Sequence, residues 1–396
     1  MENKAKNPFI LTALALYFTY FIHGIGVSIL AQYKGDLVAA WGESNLGLVI
    51  RVSAALGLGR LISLPFSGPI SDKFGRKVSG LVGIVFYVLY FGGVALSKSM
   101  EVAYVFAIMG GLANSFLDTC VTPSCLEIFK DKGAIANMFT KFSISIGQLV
   151  LPFCIGIVSG MNLPYTTLFY LAGLLIAIDG VLILFLKFPK LNSDVGSSKV
   201  EETKMKFDAT AMALITIGLT CTATFQLWLN ANQELGKMYG LANPRMIQTM
   251  YAAGTICAIL FTALVVLKKF KPVDVLVLYP TISFVMLVIT YLLRTPSITL
   301  IAGFVIGYAG AGGVLQLAVS TANELFPTNK GKITSIVMIA SSLANYVILE
   351  IAGYITKVSP ANGPVNIVLF NAGITLIGVL LALYVRKQFK LKVANI

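Results

Sequence analysis

The stretch FLDTCVTPSC, residues 116–125, sets one acid, Asp118, in an otherwise apolar run, with Asn114 four residues before it and Pro123 five after. A carboxyl group in such a place does one of two things: it carries a proton, or it neutralises a cation. Arg60, in another apolar run, is the matching cation. Pairing keeps a carboxylate ionised, whereas burial alone favours its protonated form. Only the second behaviour suits a proton carrier, unless a ligand draws Arg60 away, and the residues alone leave both readings open.

Other polar groups interrupt the apolar runs in ways that suit binding of a small solute. Tyr17, Tyr20 and His23 recur at helical spacing; Gln226 and Asn230 lie four apart, as Asn114 and Asp118 do, which puts each pair on one helix face. Gln316, Gln148 and Asn345 are further isolated amides. Together they read as a site for a hydroxylated or carboxylated solute, with helix–helix hydrogen bonding the competing account of each alone. His23 suits a proton relay, solute hydroxyls or a packing bond. Arg51 is read either as a bidentate anion clamp or as a staple at a helix boundary. Glu350 is a candidate outer gate or second proton site. Asp179 reads as structural, and Lys141 as a cation snorkelling to a membrane edge.

These residues need helices that cross a membrane. Of 396 residues 57% are hydrophobic and 12% charged, too apolar for a water-soluble chain of this length. Runs of about 20 apolar residues recur along the chain. They predict an all-α membrane protein with twelve spans, beginning near Pro8, Ser44, Val78, Val102, Asn137, Tyr165, Asp208, Pro244, Val273, Ser297, Ile333 and Val365. The net charge of +13 resolves by topology: 21 Lys and Arg fall at the termini and in the even-to-odd loops, six in the opposite loops and three inside spans. Both termini are therefore expected in the cytoplasm, with lipid and not nucleic acid as the partner of the surface. Spans 2 and 4 both run inward, and Arg60 and Asp118 each lie about 16 residues along, so they share a depth. His23 and Arg51 fall in the outer half. The five cysteines all lie in spans and read as small apolar fillers, without a disulfide or metal-ligating pattern.

The polar segment 190–206 reads as a cytoplasmic linker between two six-helix halves, 1–189 and 207–396. An offset of 197 relates Glu127 to Glu324, Phe129 to Phe326, Gln148 to Asn345 and Gly156 to Gly353, as a parallel repeat requires. Between spans 2 and 3, GPISDKFGRK places Gly68, Asp72, Gly75, Arg76 and Lys77 in a pattern that resembles the signature of the major facilitator superfamily. The resemblance implies the major facilitator fold, a midplane site between the halves, and a cytoplasmic latch with Asp72 near the amino end of span 11 and Arg76 near Glu127. The second-half equivalent, VVLKKFKPVD, keeps charge but loses the pattern, so the latch is expected on one side only. Gly57, Gly59, Gly310, Gly312 and Gly313 are expected at sliding helix contacts.

The stretches ALYFTYFIHGIGVSILAQ, GLGRLISLPFSGPISDKFGRK, ANSFLDTCVTPSCLE and GGVLQLAVST resemble the YdiM/YdiN-type bacterial inner-membrane transporters, an association that implies shikimate- or quinate-like solutes. FLDTCVTPS is also similar to the span-4 segment of fucose-permease-type sugar/proton symporters, in which the acid takes part in proton coupling. Here Thr122-Pro123 replaces that family's Asn-Pro, and His23 stands where no span-1 acid is found. The expectation is a multi-pass protein of the bacterial cytoplasmic membrane, acting as a monomer and coupling protons to uptake of a small polar metabolite. Efflux is the alternative, since GQLVLPFCIG, residues 147–156, keeps part of an antiporter pattern. No phosphate loop, no H-E-x-x-H and a single histidine argue against an ATPase or an enzyme, and no cofactor is expected.

Overall fold

The computed structural model describes residues 8–129, 133–189, 207–266, 269–326 and 330–394. Among the described residues twelve helices are long and apolar enough to cross a membrane, and each such span begins within three residues of its predicted start. No strand occurs among the described residues. The chain divides into two compact units. One takes in the described residues up to Gly42 and from Leu58 through span 6; the other takes in Glu43–Gly57 and the described residues from 207 onward. The first turns of span 2 thus group with the second unit. The predicted linker, 190–206, lies outside the described residues.

The first unit holds span 1 (Ile10–Gln32), most of span 2 (Gly47–Phe74), and spans 3 (Arg76–Leu96), 4 (Met100–Ile128), 5 (Met138–Gly160) and 6 (Thr166–Phe185). Their ends follow local chemistry. Ser99 caps span 4 by accepting from the Val102 amide at 3.4 Å. Gly75 turns the chain between spans 2 and 3 at φ +95°, a conformation that a side chain would strain. Spans 1 and 5 meet backbone to backbone: Gly24 lies on the Ile144 carbonyl and Gly147 on the Phe21 carbonyl, with no room for a Cβ. Leu174, Ile178 and Leu182, one turn apart on span 6, are all exposed, the stripe that a lipid-facing helix presents.

The second unit holds spans 7 (Ala209–Met238), 8 (Met246–Val266), 9 (Pro272–Leu293), 10 (Pro296–Leu325), 11 (Lys332–Val358) and 12 (Gly363–Leu391). Asp208 caps span 7 through the Ala211 amide at 2.8 Å. Pro272 and Pro296 open spans 9 and 10, where the missing N–H costs nothing. Span 10 is interrupted: the α-helix Pro296–Ile306 passes into a π-turn, Gly307–Ala311, and resumes at Val314 after Gly313 at φ +108°. Hydroxyls and an amide tie span 7 to span 12: Thr224 and Thr375 share a hydrogen bond of 2.8 Å, and Asn371 donates to the Thr224 carbonyl at 2.9 Å.

The two units make a related contact with different chemistry. In the first, Lys77 at the start of span 3 donates to the Leu184 and Leu186 carbonyls at the end of span 6, at 2.5 and 3.1 Å. In the second, Asp274, at the matching offset of 197, pairs with Arg386 of span 12 at 2.6 Å. The second half, in which no latch pattern is legible, therefore carries an ion pair of its own at that place.

Candidate functional site

Asp118 lies in the second half of span 4, and three features of the first unit determine its setting. Span 2 brings Arg60 to it: Nη2 donates to Oδ2 at 2.8 Å. Span 1 brings Tyr20, whose hydroxyl donates to Oδ1 at 2.8 Å. Pro123 then loosens span 4 one turn further on, since a proline cannot donate to the carbonyl of Thr119. That carbonyl is taken up by the hydroxyl of Ser71 at 2.8 Å. The Asp118 side chain is 38% exposed and that of Arg60 13%, so the carboxylate faces open space while the guanidinium is largely enclosed. Arg60 Nε is buried and has no hydrogen-bond acceptor among the described residues.

His23 is buried one turn beyond Thr19, and its Nδ1 contacts the hydroxyl of Tyr87. Tyr20 and His23 lie ring to ring at 5.6 Å, which puts the histidine beside the Asp118 cluster without bonding it to the carboxylate. Asn114 is half-buried one turn before Asp118. Lys141 of span 5 is exposed, and its charge lies within electrostatic reach of Asp118, Arg60 and His23. The cation read from sequence as snorkelling to the membrane edge thus has this cluster within electrostatic reach, without a hydrogen bond or ion pair to it among the described residues. Asp179 is buried on span 6 and accepts from Thr19 at 2.5 Å, away from Arg60.

Two residues of the loop signature, Asp72 and Arg76, form one network with Ser71 and Glu127. Arg76 donates to Asp72 at 2.7 Å and to the Ser71 hydroxyl at 3.0 Å, and its Nε stands 3.6 Å from Glu127. Ser71 joins this network to Pro123 and so to the helix of Asp118. Gly68 and Gly75 have open space beside them, with Gly75 required by its turn.

Several predicted ligands have other work. Gln148 is buried and donates to Ser28 of span 1 at 3.1 Å, so its amide fastens spans 1 and 5 and is not presented to a solute. Arg51 is engaged by Glu350 at 2.8 Å within the second unit, which answers for both: neither an open anion clamp nor a lone acid is present. Gly353 makes room for the Arg51 stem. Asn230 is buried and donates back to the Gln226 carbonyl at 3.0 Å, while Gln226 stays half-buried. Gln316 is exposed just past the break in span 10, and Asn345 is half-buried with its backbone against Gly57. No group of three or more potential metal ligands occurs among the described residues.

Comparison with known proteins settles the family. The model of the Major Facilitator Superfamily matches residues 9–265. The chain belongs to the Major Facilitator Superfamily. Similar members include the inner membrane transport protein YdiM of Escherichia coli, 32% identical and matched over 96% of this chain and 95% of that one. The MFS-type transporter YfkL of Bacillus subtilis is 33% identical over 96% of this chain and 97% of its own length. Among solved structures, a D-xylose-proton symporter superposes with a TM-score of 0.73 at 17% identity, covering 96% of this chain and 97% of that one, and shows the shared fold. This major facilitator protein is a transporter and not an enzyme, a helical membrane protein with twelve spans in two six-helix pseudo-repeats.

Tyr87, Ser71 and Lys141 are the members of the site that sequence reasoning did not assign to it. Tyr87 sits in a run of apolar and aromatic residues that gives no sign of a polar partner. Ser71 was signalled only by the proline whose missing N–H it offsets.

Proposed function

We propose that this protein is a proton-coupled secondary active transporter of a small polar metabolite in the bacterial inner membrane, with both termini cytoplasmic, working by alternating access as a single chain. The observation that carries this reading is the Arg60–Asp118–Tyr20 cluster. Asp118 is the group that gains and loses the proton; Arg60 is its counter-charge; Tyr20 orients the carboxylate. In the ionised state Asp118 holds Arg60 through Nη2. A proton on Asp118 removes the attraction and leaves the guanidinium free for a polar solute, with Arg60 Nε a donor that has no acceptor among the described residues before the exchange begins. Deprotonation restores the pair and displaces the solute. Proton and solute therefore travel together, since each is bound stably only with the other.

His23 and Tyr87 form the adjoining relay, and Asn114 is a ligand for solute hydroxyls. The Arg76 network, with Asp72 and Glu127, acts as the latch of the loop end, and Arg51–Glu350 as a second one in the other unit. Within the second unit, considered by itself, Gln226, Gln316 and Asn345 are the candidate solute ligands, with Asn230 bonded to the Gln226 carbonyl beside them.

Purified protein in proteoliposomes tests this reading: a panel of labelled polar metabolites is offered under an imposed pH gradient of either sign. At least one solute is expected to accumulate against its gradient on the alkaline side, and a protonophore is expected to abolish that. Uptake that merely equilibrates and ignores the gradient would refute proton coupling, and the orientation of reconstituted protein reads out whether uptake or efflux is the working direction.

A further inference from the structure

Two cations, Arg60 and Lys141, stand about the one carboxylate of Asp118. Arg60 and Asp118 neutralise each other at 2.8 Å, yet Lys141 also reaches this pair electrostatically. Its placement follows from helical register. Lys141, Ile144 and Gln148 recur at i, i+3 and i+7, one face of span 5. Ile144 meets span 1 at Gly24, and Gln148 meets it at Ser28. Lys141 therefore lies on the span-1 side, and the ring of Phe139, two residues earlier, packs on Tyr17 at 5.9 Å. That level on span 1 is the level of Tyr20, whose hydroxyl holds Asp118.

The Lys141 side chain is nonetheless exposed, and none of the ion pairs seen among the described residues includes it. The other acids of the neighbourhood are engaged elsewhere: Asp179 by Thr19, and Asp72 and Glu127 by Arg76. A cation inside a membrane span is costly to keep without a carboxylate in direct contact, and Lys141 has Asp118 within electrostatic reach but not as an ion-pair partner. Arg60 contributes a second donor, its buried Nε, which has no acceptor among the described residues.

From this juxtaposition we infer that the transported solute is a small organic carboxylate, whose carboxylate group is bound by Lys141 and, once Asp118 is protonated, shared with Arg60. The inference rests on the transport reading above and narrows its substrate class. Lys141 selects for negative charge, and Arg60 makes binding depend on the proton. A neutral sugar-like solute has no group to pair with Lys141, and a cation is repelled by it.

The test uses purified full-length protein and a library of hydroxylated metabolites in matched pairs, each carboxylate beside its amide or methyl ester, read by thermal stabilisation. Carboxylates are expected to stabilise the wild type and their uncharged partners not. Lys141→Gln is expected to weaken that binding about tenfold or more, and Lys141→Arg to restore most of it. A measurement independent of variants is protection: bound carboxylate is expected to shield Lys141 from an amine-acylating reagent, read by mass spectrometry. Stabilisation by uncharged members only, or by no carboxylate, overturns the inference. So do carboxylate binding unchanged in Lys141→Gln and acylation of Lys141 unchanged by ligand, the behaviour of a lysine bound to lipid phosphate. The two readings fail separately. A neutral solute driven by the pH gradient would refute the carboxylate and leave coupling standing, whereas carboxylate binding without gradient-driven accumulation would do the reverse.

Discussion

Arg60 and Asp118 should be thermodynamically coupled, and the structure sets the scale. Their charge centres stand about 4 Å apart, for which an effective dielectric constant of 20 gives roughly 4 kcal/mol. The carboxylate is 38% exposed, so solvent screening reduces that to about 2 kcal/mol. Asp118→Asn leaves a guanidinium that is 13% exposed without a counter-charge, and should lower stability by about 2 kcal/mol. Arg60→Gln should cost less, about 1 kcal/mol, because a carboxyl deprived of its partner can be neutralised by a proton, an escape closed to arginine. If the pair is the source of both effects, the double variant loses no more than the worse single one, a coupling of about 1 kcal/mol. The assay is thermal unfolding of the four purified proteins in one detergent, followed by intrinsic fluorescence and by aggregation at matched heating rates. Losses that add to within about 0.5 kcal/mol would refute the reasoning, since additivity is the mark of sites that do not interact.

Further expectations concern the framework. Ser71→Ala strips the Thr119 carbonyl of its partner and should cost about 1–2 kcal/mol; in a Pro123→Ala background, where the helix supplies its own N–H, the same change should cost less, as thermal unfolding can show. Gly24→Leu places a side chain on the Ile144 carbonyl and should destabilise by about 1–3 kcal/mol or more, seen as loss of monodisperse protein on size exclusion, whereas Gly68→Ala, with open space beside it, should leave the yield unchanged. Arg51 and Glu350 are both partly exposed, so either neutral variant should move stability by no more than about 1 kcal/mol, and transport by the charge-reversed pair Arg51→Glu/Glu350→Arg should exceed that of either reversal alone.

The twelve spans were legible because hydrophobic length is a strong one-dimensional signal, and lipid admits few other solutions for a backbone. The Asp118–Arg60 pairing was within reach for a related reason: in antiparallel or parallel spans, residue count converts to depth, and two opposite charges at one depth seek each other. Depth says nothing of azimuth. Lys141 was assigned an edge role on depth alone, and only the register of Ile144 and Gln148 against span 1 shows which way its face turns. The bond of Gln148 to Ser28 was out of reach for the same reason, since Ser28 belongs to a distant part of the chain. Ser71 is a case of non-local accounting. Nothing in its own neighbourhood announces that its hydroxyl answers a proline 52 residues away. The grouping of Glu43–Gly57 with the second unit was also beyond reach, because a continuous apolar helix carries no mark where its packing partners change.

The central claim is that Asp118 couples a proton to solute movement, and counterflow in proteoliposomes tests it most directly. With equal pH on both sides, Asp118→Asn should still exchange labelled for unlabelled solute at a rate near that of wild type, because a permanently neutral side chain mimics the protonated state. With a pH gradient imposed, the same variant should not concentrate the solute, while wild type does. Gradient-driven accumulation by Asp118→Asn equal to that of wild type would contradict the account.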